Sequence, residues 1–459
     1  MRFPSTSSCV LIGFLAIVFA QGIWRTTRPT PASSIERVGT GSIVIDGTIV
    51  TAPEIADTAI SYVVGNATSS GTTFDGRILV RDRAMWPRYA YGERIRMTGN
   101  MLPATLDGYG RSLRTRGILA TSFGPRLTMI EPAPSSLFGM LIAVRESMEG
   151  RLRRVFPEPE ASLAVGLLTG TRASFPPRLT DSLRMSGLTH LTAVSGSNVA
   201  IVLVVLEALL FWVPRRFRLV PLIGGIALFG IFTGASASVI RACIMGGLGV
   251  LALHAGRMAQ ARRMILWTLG AMLLWNPRLL TGDLGFQLSF LSVIGILEIS
   301  PYLERALQRI PNVLALRESI SLTLSSQITA GPWIAYALGT FSFVSLPANL
   351  LAAPLVPWAM LGSALACVAS YVGLGLPIAF IARWPLKGII AAAERTAAIP
   401  YASLDGITIT DWGIVTYYVF LVLALCTTNV HMNARRSKLA GSGIAPECIA
   451  THAPRSEAT

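Results

Sequence analysis

The chain has 459 residues, of which 52% are hydrophobic and only 14% charged, and a formal charge of +15. Soluble domains carry about 25% charged residues, so this shortfall, with repeated apolar runs of about 20 residues, excludes an average soluble domain and predicts a polytopic membrane protein. No C-x-x-C pair exists, no cysteine lies between Thr26 and Phe138, and the four histidines (His190, His254, His431, His452) are scattered, so neither a disulfide framework in the polar N-terminal region nor a metal centre is expected, and no cofactor.

The first apolar run, CVLIGFLAIVFAQGIW at 9–24, is short for a span, and Val18-Phe19-Ala20 resembles a signal-peptidase site. A retained anchor over 1–32 is expected, because the rest of the chain is membrane-integral.

Residues 33–135 differ in kind. "GSIVIDGTIV", "FDGRILVRD", "ERIRMTGNM" and "RLTMIEP" are short alternating runs punctuated by Gly, Pro, Asn and Asp. Such spacing predicts a small antiparallel barrel or sandwich. Arg77, Arg81, Arg83, Arg88, Arg94 and Arg96 interleave there with Trp86, Tyr89 and Tyr91; Tyr109, Arg111, Arg114, Arg116 and Arg126 follow. A cationic face with stackable rings suits single-stranded nucleic acid. The alternative is a solvated arginine surface whose aromatics serve as core or bilayer-interface anchors.

In 136–189, LFGMLIAVRESMEGRLRRVF sets apolar residues opposite Arg145, Arg151, Arg153 and Arg154, which predicts a helix lying in the membrane interface. The apolar stretch 160–171 is too short to span and reads as a re-entrant half-helix. Spans are expected at 190–213, 219–235, 237–256, 263–276, 284–300, 320–341, 346–370, 376–392 and 412–430, making about 10 with the anchor. A cytoplasmic disordered tail is expected over 433–459. The loop arginines Arg215, Arg216, Arg218, Arg257, Arg262, Arg263, Arg305, Arg309 and Arg317 orient these spans with both termini in the cytoplasm. The β-domain is then outside, where the positive-inside bias does not account for its charge, and a ligand becomes the better account.

Four stretches carry polar groups into the membrane. "SGLTHLTAVSGSNV" at 186–199 brings His190, Ser195, Ser197 and Asn198. "ASASVIRACIMGG" brings Arg241, and "GDLGFQLSFL" brings Asp283 and Gln287, four apart on one helical face. "SLPANLLAAPLVPW" has Pro347, Pro354 and Pro357, which interrupt helical bonding. A charge at the centre of a span costs about 2.5–3.5 kcal/mol on insertion scales, so such groups face a bundle interior or a water-filled path. Against this, single Ser or Thr residues are ordinary packing glue. Asp283 reads best as a helix cap, and Arg241 has Asp283 as a structural partner to consider.

Together these stretches resemble the competence domain of the ComEC family, membrane channels for DNA uptake in natural transformation. The family pattern, roughly S-G-L-x-H-L-L-A-V-S-G-x-[HN]-V, stands at 186–199 with Thr192 in place of its second consecutive leucine, and S-V-I-R-A-x-x-M stands at 238–245, F-Q-L-S-F-L at 286–291 and N-L-L-A-x-P-L-V-P at 349–357. The 33–135 region also looks like the family's small OB-like β-domain, notably at "YGERIRMTGNM" and "SLRTRGILA".

The resemblance implies an α-helical polytopic protein of the bacterial inner membrane with an extracytoplasmic OB-like domain, its channel domain running over 190–432. It implies that His190, Ser195, Asn198, Arg241, Asp283 and Gln287 occupy the family's channel-region positions, with Asn198 standing where many members have histidine; these six and Ser197 are expected to line or shape a path for single-stranded DNA. Many members continue into a metallo-β-lactamase-like domain with an H-x-H-x-D-H signature; this chain has no such signature, so it is expected to be a non-enzymatic short form, with any strand degradation left to a separate nuclease.

Inward movement of phosphate works against an inside-negative potential, at about 2.3 kcal/mol per charge per 100 mV. No G-K-[ST] loop exists in this sequence, so a separate cytoplasmic ATPase or helicase is the implied motor, with a membrane-anchored DNA receptor upstream. Two rivals remain. Ala193-Val194-Ser195-Gly196 is similar to the rhomboid G-x-S-G, with His190 or His254 as base. A small-solute transporter with broken helices is the other, although no inverted repeat is evident.

Overall fold

The computed structural model describes residues 42–441 except 57–58, 70, 85–87, 105–107, 135, 172–174, 193, 257, 259 and 310–315. The anchor segment and Trp86 lie outside the described residues, as does 442–459.

The N-terminal module is built from β1 (Ser42–Ile49), β2 (Glu54–Ala56), β3 (Ala59–Ser69), β4 (Thr72–Phe74), β5 (Arg77–Asp82), β6 (Arg94–Pro103), helix α1 (Gly108–Thr115), β7 (Ile118–Phe123) and β8 (Arg126–Glu131). Strand order β1-β3-β5-β7-β6, with β6 pairing back to β1, closes five strands into a barrel, and β8 extends it from β6. Closure removes the sheet edges that a sandwich would leave open. The expected all-antiparallel arrangement needs one correction, because β5 and β7 run parallel. Alternation follows the β-branched runs: Ile45, Ile49, Ile60, Val64, Ile78, Val80 and Ile95 point inward and form the core with Tyr62. A second, outer cluster of Leu79, Leu113 and Ile118 seats α1 on the barrel wall.

The rest is helical: α2 (Leu137–Val155), α3 (Glu160–Thr169), α4 (Pro177–Met185), a 3₁₀ turn (Leu188–Leu191), α5 (Gly196–Leu209), α6 (Leu219–Phe232), α7 (Ala237–His254), α8 (Ala261–Trp275), α9 (Leu279–Gly282), α10 (Leu284–Glu298), α11 (Ser300–Ala306), α12 (Leu316–Leu338), α13 (Ser345–Ala352), α14 (Val356–Ala369), α15 (Gly375–Ala397) and α16 (Asp411–Gly441). Short strands β9 (Thr340–Ser342) and β10 (Ser403–Asp405) pair antiparallel.

Among the described residues, four helical segments are long and apolar enough to cross a bilayer: Leu188–Leu209, Ala237–His254, Ser345–Val372 and Gly375–Ala397. The pair α10–α11, bent by 47°, passes only when its two helices are counted as one span; Glu160–Thr169, Leu219–Phe232 and Asp411–Leu425 are apolar but shorter. The expected number of spans is therefore not reached by length and composition. Arg262 and Arg263 open the 15-residue α8, while α12 carries Arg317, Glu318 and a Ser/Thr-rich face.

Helix α3 is buried along its whole length, with α2, α14 and α15 packed against it. Its Glu160 carboxylate accepts from Arg383 Nε at 2.8 Å. On α2, Leu137, Met140 and Val144 are exposed, whereas Arg145 and Arg151 reach protein partners. Pro347 and Pro357 lie in the first turns of α13 and α14, where a missing N–H leaves no helical bond unmade, and Ser345–Val372 stays one continuous segment.

Candidate functional site

In the membrane domain the geometry begins at the turn before α5. Ser195 is the N-cap residue, and its hydroxyl lies 2.6 Å from that of Ser197. Both hydroxyls donate to Asn198 Oδ1, at 3.1 and 3.3 Å. The buried Asn198 donates in turn through Nδ2 to the Leu167 carbonyl, at 3.1 Å. One side chain thus ties the end of the buried helix α3 to the start of α5.

Arg241, on α7, reaches the same turn. It donates through Nη1 to the Ser289 carbonyl, its Cζ stands 5.9 Å from the Phe290 ring centroid, and its Nη2 lies 3.5 Å from where a Cβ on Gly196 would be. Beside it, the Ser238 and Ser289 hydroxyls are 3.1 Å apart. Arg241 makes no ion pair with Asp283: among the described residues no carboxylate lies within 4.0 Å of it.

Asp283 and Gln287 separate, although four residues apart. Asp283 Oδ1 accepts from the Phe286 N–H at 2.7 Å, a helix cap as its position predicts. Gln287 donates to the Leu280 carbonyl at 2.7 Å and accepts from Trp333 Nε1 at 2.8 Å, so its amide serves to join α9, α10 and α12. His190 stands apart from Ser195, with Nδ1 against the Gly187 carbonyl at 3.1 Å and Asn349 as a further hydrogen-bonding neighbour.

A second cluster, of which helical spacing marked only Arg145, joins the middle of α2 to the C-terminal end of α3. Arg145 donates to Glu149 at 3.1 Å and to Thr171 at 2.5 Å, while Thr169 and Thr171 donate to the same Glu149 oxygen at 3.0 and 2.6 Å. Burial, with Glu149 beside it, pushes the neighbouring Glu146 carboxyl above the usual carboxylate range. The i, i+4 spacing of Arg145 and Glu149 is the one signal that sequence offers for this set.

On the barrel, the named arginines and rings sort into different settings. Arg81 donates to the Tyr109 hydroxyl at 2.7 Å and lies 5.8 Å from the Tyr109 and 5.5 Å from the Phe123 ring centroid. Arg83 is exposed near Gly124, and Arg77 reaches the Arg116 carbonyl. Arg77 and Arg116 line a cavity of about 420 Å³ with Asn66 and Thr115. Tyr109 and Phe123 are more than half exposed, and Phe123 is a ring that sequence reading missed.

The other positions face elsewhere. Arg94 pairs with Glu131 at 3.8 Å, and Arg96 with Asp46 through two bonds of 2.7 and 2.8 Å. Arg96 holds the Asp46 carboxyl below its usual range. Tyr89 packs on the core and donates to the Leu127 carbonyl, while Tyr91 packs on Phe138 of α2. Arg88 is exposed, and its N–H donates to the Tyr62 hydroxyl. Barrel and helices meet where α1 lies on α9, and Asn276 Nδ2 donates to the Thr115 carbonyl at 3.2 Å.

The sequence pattern of the family described as "Competence protein" matches residues 167–430. The chain belongs to the competence protein family. Similar to it are ComE operon protein 3 of Bacillus subtilis (strain 168), 24% identical over 241 residues, 51% of this chain and 30% of that protein, and Uncharacterized protein YcaI of Escherichia coli (strain K12), 28% identical over 211 residues, 44% of this chain and 28% of that protein. The matched part thus spans less than a third of each relative's length. No solved structure matches. The seven polar membrane positions all fall inside the competence-family match, and the barrel lies before it.

Proposed function

We propose that this competence-family protein conducts single-stranded DNA across the bacterial cytoplasmic membrane during natural transformation. The observation that carries the reading is the seating of the barrel. The wall bearing Arg81, Tyr109 and Phe123 is the wall that carries α1, and α1 rests on the membrane domain at α9. A strand stacked on those rings would stand beside the helices rather than on a remote lobe. Exposed rings flanked by guanidinium groups accept any base, because every base has a π-face.

On this reading the outer barrel captures the strand, and the Ser195–Asn198 turn with Arg241 shapes its way through the helices. Motive force comes from a separate cytoplasmic ATPase, and delivery from a membrane-anchored DNA receptor. Phosphate contacts make capture weaken as salt rises. The test is transformation frequency in a deletion strain complemented by the wild type and by Arg241→Ala. Full frequency without the gene would remove the proposal.

The serine-protease alternative gains nothing from the geometry. The Ser195 hydroxyl is engaged with Ser197 and Asn198, and the His190 ring is engaged at Gly187. His254 is 13 residues beyond Arg241 on α7, about 20 Å away at the helical rise.

A further inference from the structure

Arg241 is 7% exposed, and its guanidinium carries five N–H donors. One meets the Ser289 carbonyl; Nε is buried with no partner, and Nη2 lies against Gly196 without a hydrogen bond among the described residues. No carboxylate balances it there. A buried, uncompensated guanidinium is costly, so the site calls for a negative charge that the described part of the chain does not supply.

The surface it faces points the same way. Gly196 and Ser197 are the first residues of the 14-residue α5, and their N–H groups meet no backbone acceptor among the described residues. The first N–H groups to find an acceptor are those of Asn198 and Val199, at 3.2 and 3.3 Å from the Ser195 carbonyl. Ser195 supplies no side-chain cap, the positive end of the helix dipole is directed here, and Ser197 opens the cluster to the surface.

We infer that Arg241 and the first turn of α5 bind a single phosphate-type oxyanion. The guanidinium fork, two peptide N–H groups and the Ser195 and Ser197 hydroxyls offer more donors than the two oxygens of a carboxylate can use; a tetrahedral oxyanion matches them. On binding, the two hydroxyls turn from Asn198 Oδ1 to the anion, while Asn198 keeps its bond to Leu167. The anion is either a phosphodiester of the conducted strand or the phosphate of a lipid headgroup; only the first of these rests on the conduit reading.

The experiment is calorimetric titration of the full-length protein in phosphatidylcholine nanodiscs with sodium phosphate, then the same titration with an oligothymidylate present or with phosphatidylglycerol in the disc. Wild type binds phosphate saturably. Arg241→Gln weakens it about tenfold or more, the effect of removing a charged hydrogen bond, and Arg241→Lys retains part of the affinity. Gly196→Ala adds a methyl group at ordinary contact distance, so the fold is kept while the space beside Nη2 is filled and binding falls. This second variant decides the matter if Arg241→Gln does not fold. Competition by oligothymidylate supports the site and gives it to the strand; competition by phosphatidylglycerol supports it and gives it to lipid, leaving the conduit reading to stand or fall elsewhere. Absence of phosphate binding in wild type, or equal affinity in wild type and Gly196→Ala, overturns the site.

Discussion

The Arg81 guanidinium donates to the Tyr109 hydroxyl at 2.7 Å and stands 5.5 Å from the Phe123 ring centroid, which fixes a cation between two exposed rings on one wall of the barrel. Arg81 comes from β5, Tyr109 from α1 and Phe123 from the end of β7, so the parallel β5–β7 pairing creates the group.

That arrangement yields a first prediction. Tyr109→Ala and Phe123→Ala each weaken binding of single-stranded oligonucleotide by about 1–3 kcal/mol, as stacking platforms do. Arg94→Gln and Arg96→Gln have a smaller effect, since both charges are already paired with carboxylates. Fluorescence anisotropy at low salt and again at high salt measures both. Equal losses at Arg96 and Tyr109 would show that the strand uses another wall.

Acid should loosen the barrel at a known place. Because Arg96 depresses the Asp46 carboxyl, the pair contributes stability above the ordinary carboxylate range, and that contribution is lost as pH falls through the depressed value. Asp46→Asn is therefore expected to melt earlier than wild type at neutral pH, with the two converging in strong acid. Circular dichroism melts of residues 33–135 across pH give the comparison.

Inside the helical domain, Glu160 is 3% exposed and Arg383 is its ion-pair partner. Arg383→Met strands the carboxylate, whose other oxygen has no partner among the described residues, and should cost about 3 kcal/mol. Adding Glu160→Gln should restore part of it. Thermal unfolding in detergent, run on the single and double variants, reads the coupling.

A fourth expectation concerns helix packing. A Cβ on Gly295 of α10 would stand 2.5 Å from the Ser325 carbonyl oxygen and 2.2 Å from Thr329 Oγ1 of α12. Backbone cannot yield as a side chain can, so Gly295→Ala should push α10 and α12 apart at a cost of about 1–3 kcal/mol. A lowered midpoint of unfolding checks it; an unchanged one would mean that the two helices are not in close contact.

Much of this was legible beforehand. The β-branched alternation marked the strands, and the apolar runs the helices, because side-chain period is a local property. Asp283 as a cap was readable from its place before an apolar run. The fate of the arginines was not: Arg96 meets Asp46 across 50 positions, and Arg383 meets Glu160 across 223. Nor was the separation of Gln287 from Asp283, whose shared helical face implied a shared role.

The sequence by itself determined a membrane-embedded helical domain behind a small basic β-module, and the motifs that place 167–430 in the competence family. Only the tertiary structure decided which cations are neutralised, which stand beside exposed rings and which lie buried without a counter-charge among the described residues. Charge is written residue by residue, but its partner is chosen by the pairing of strands and the packing of helices, over distances along the chain that no local pattern encodes.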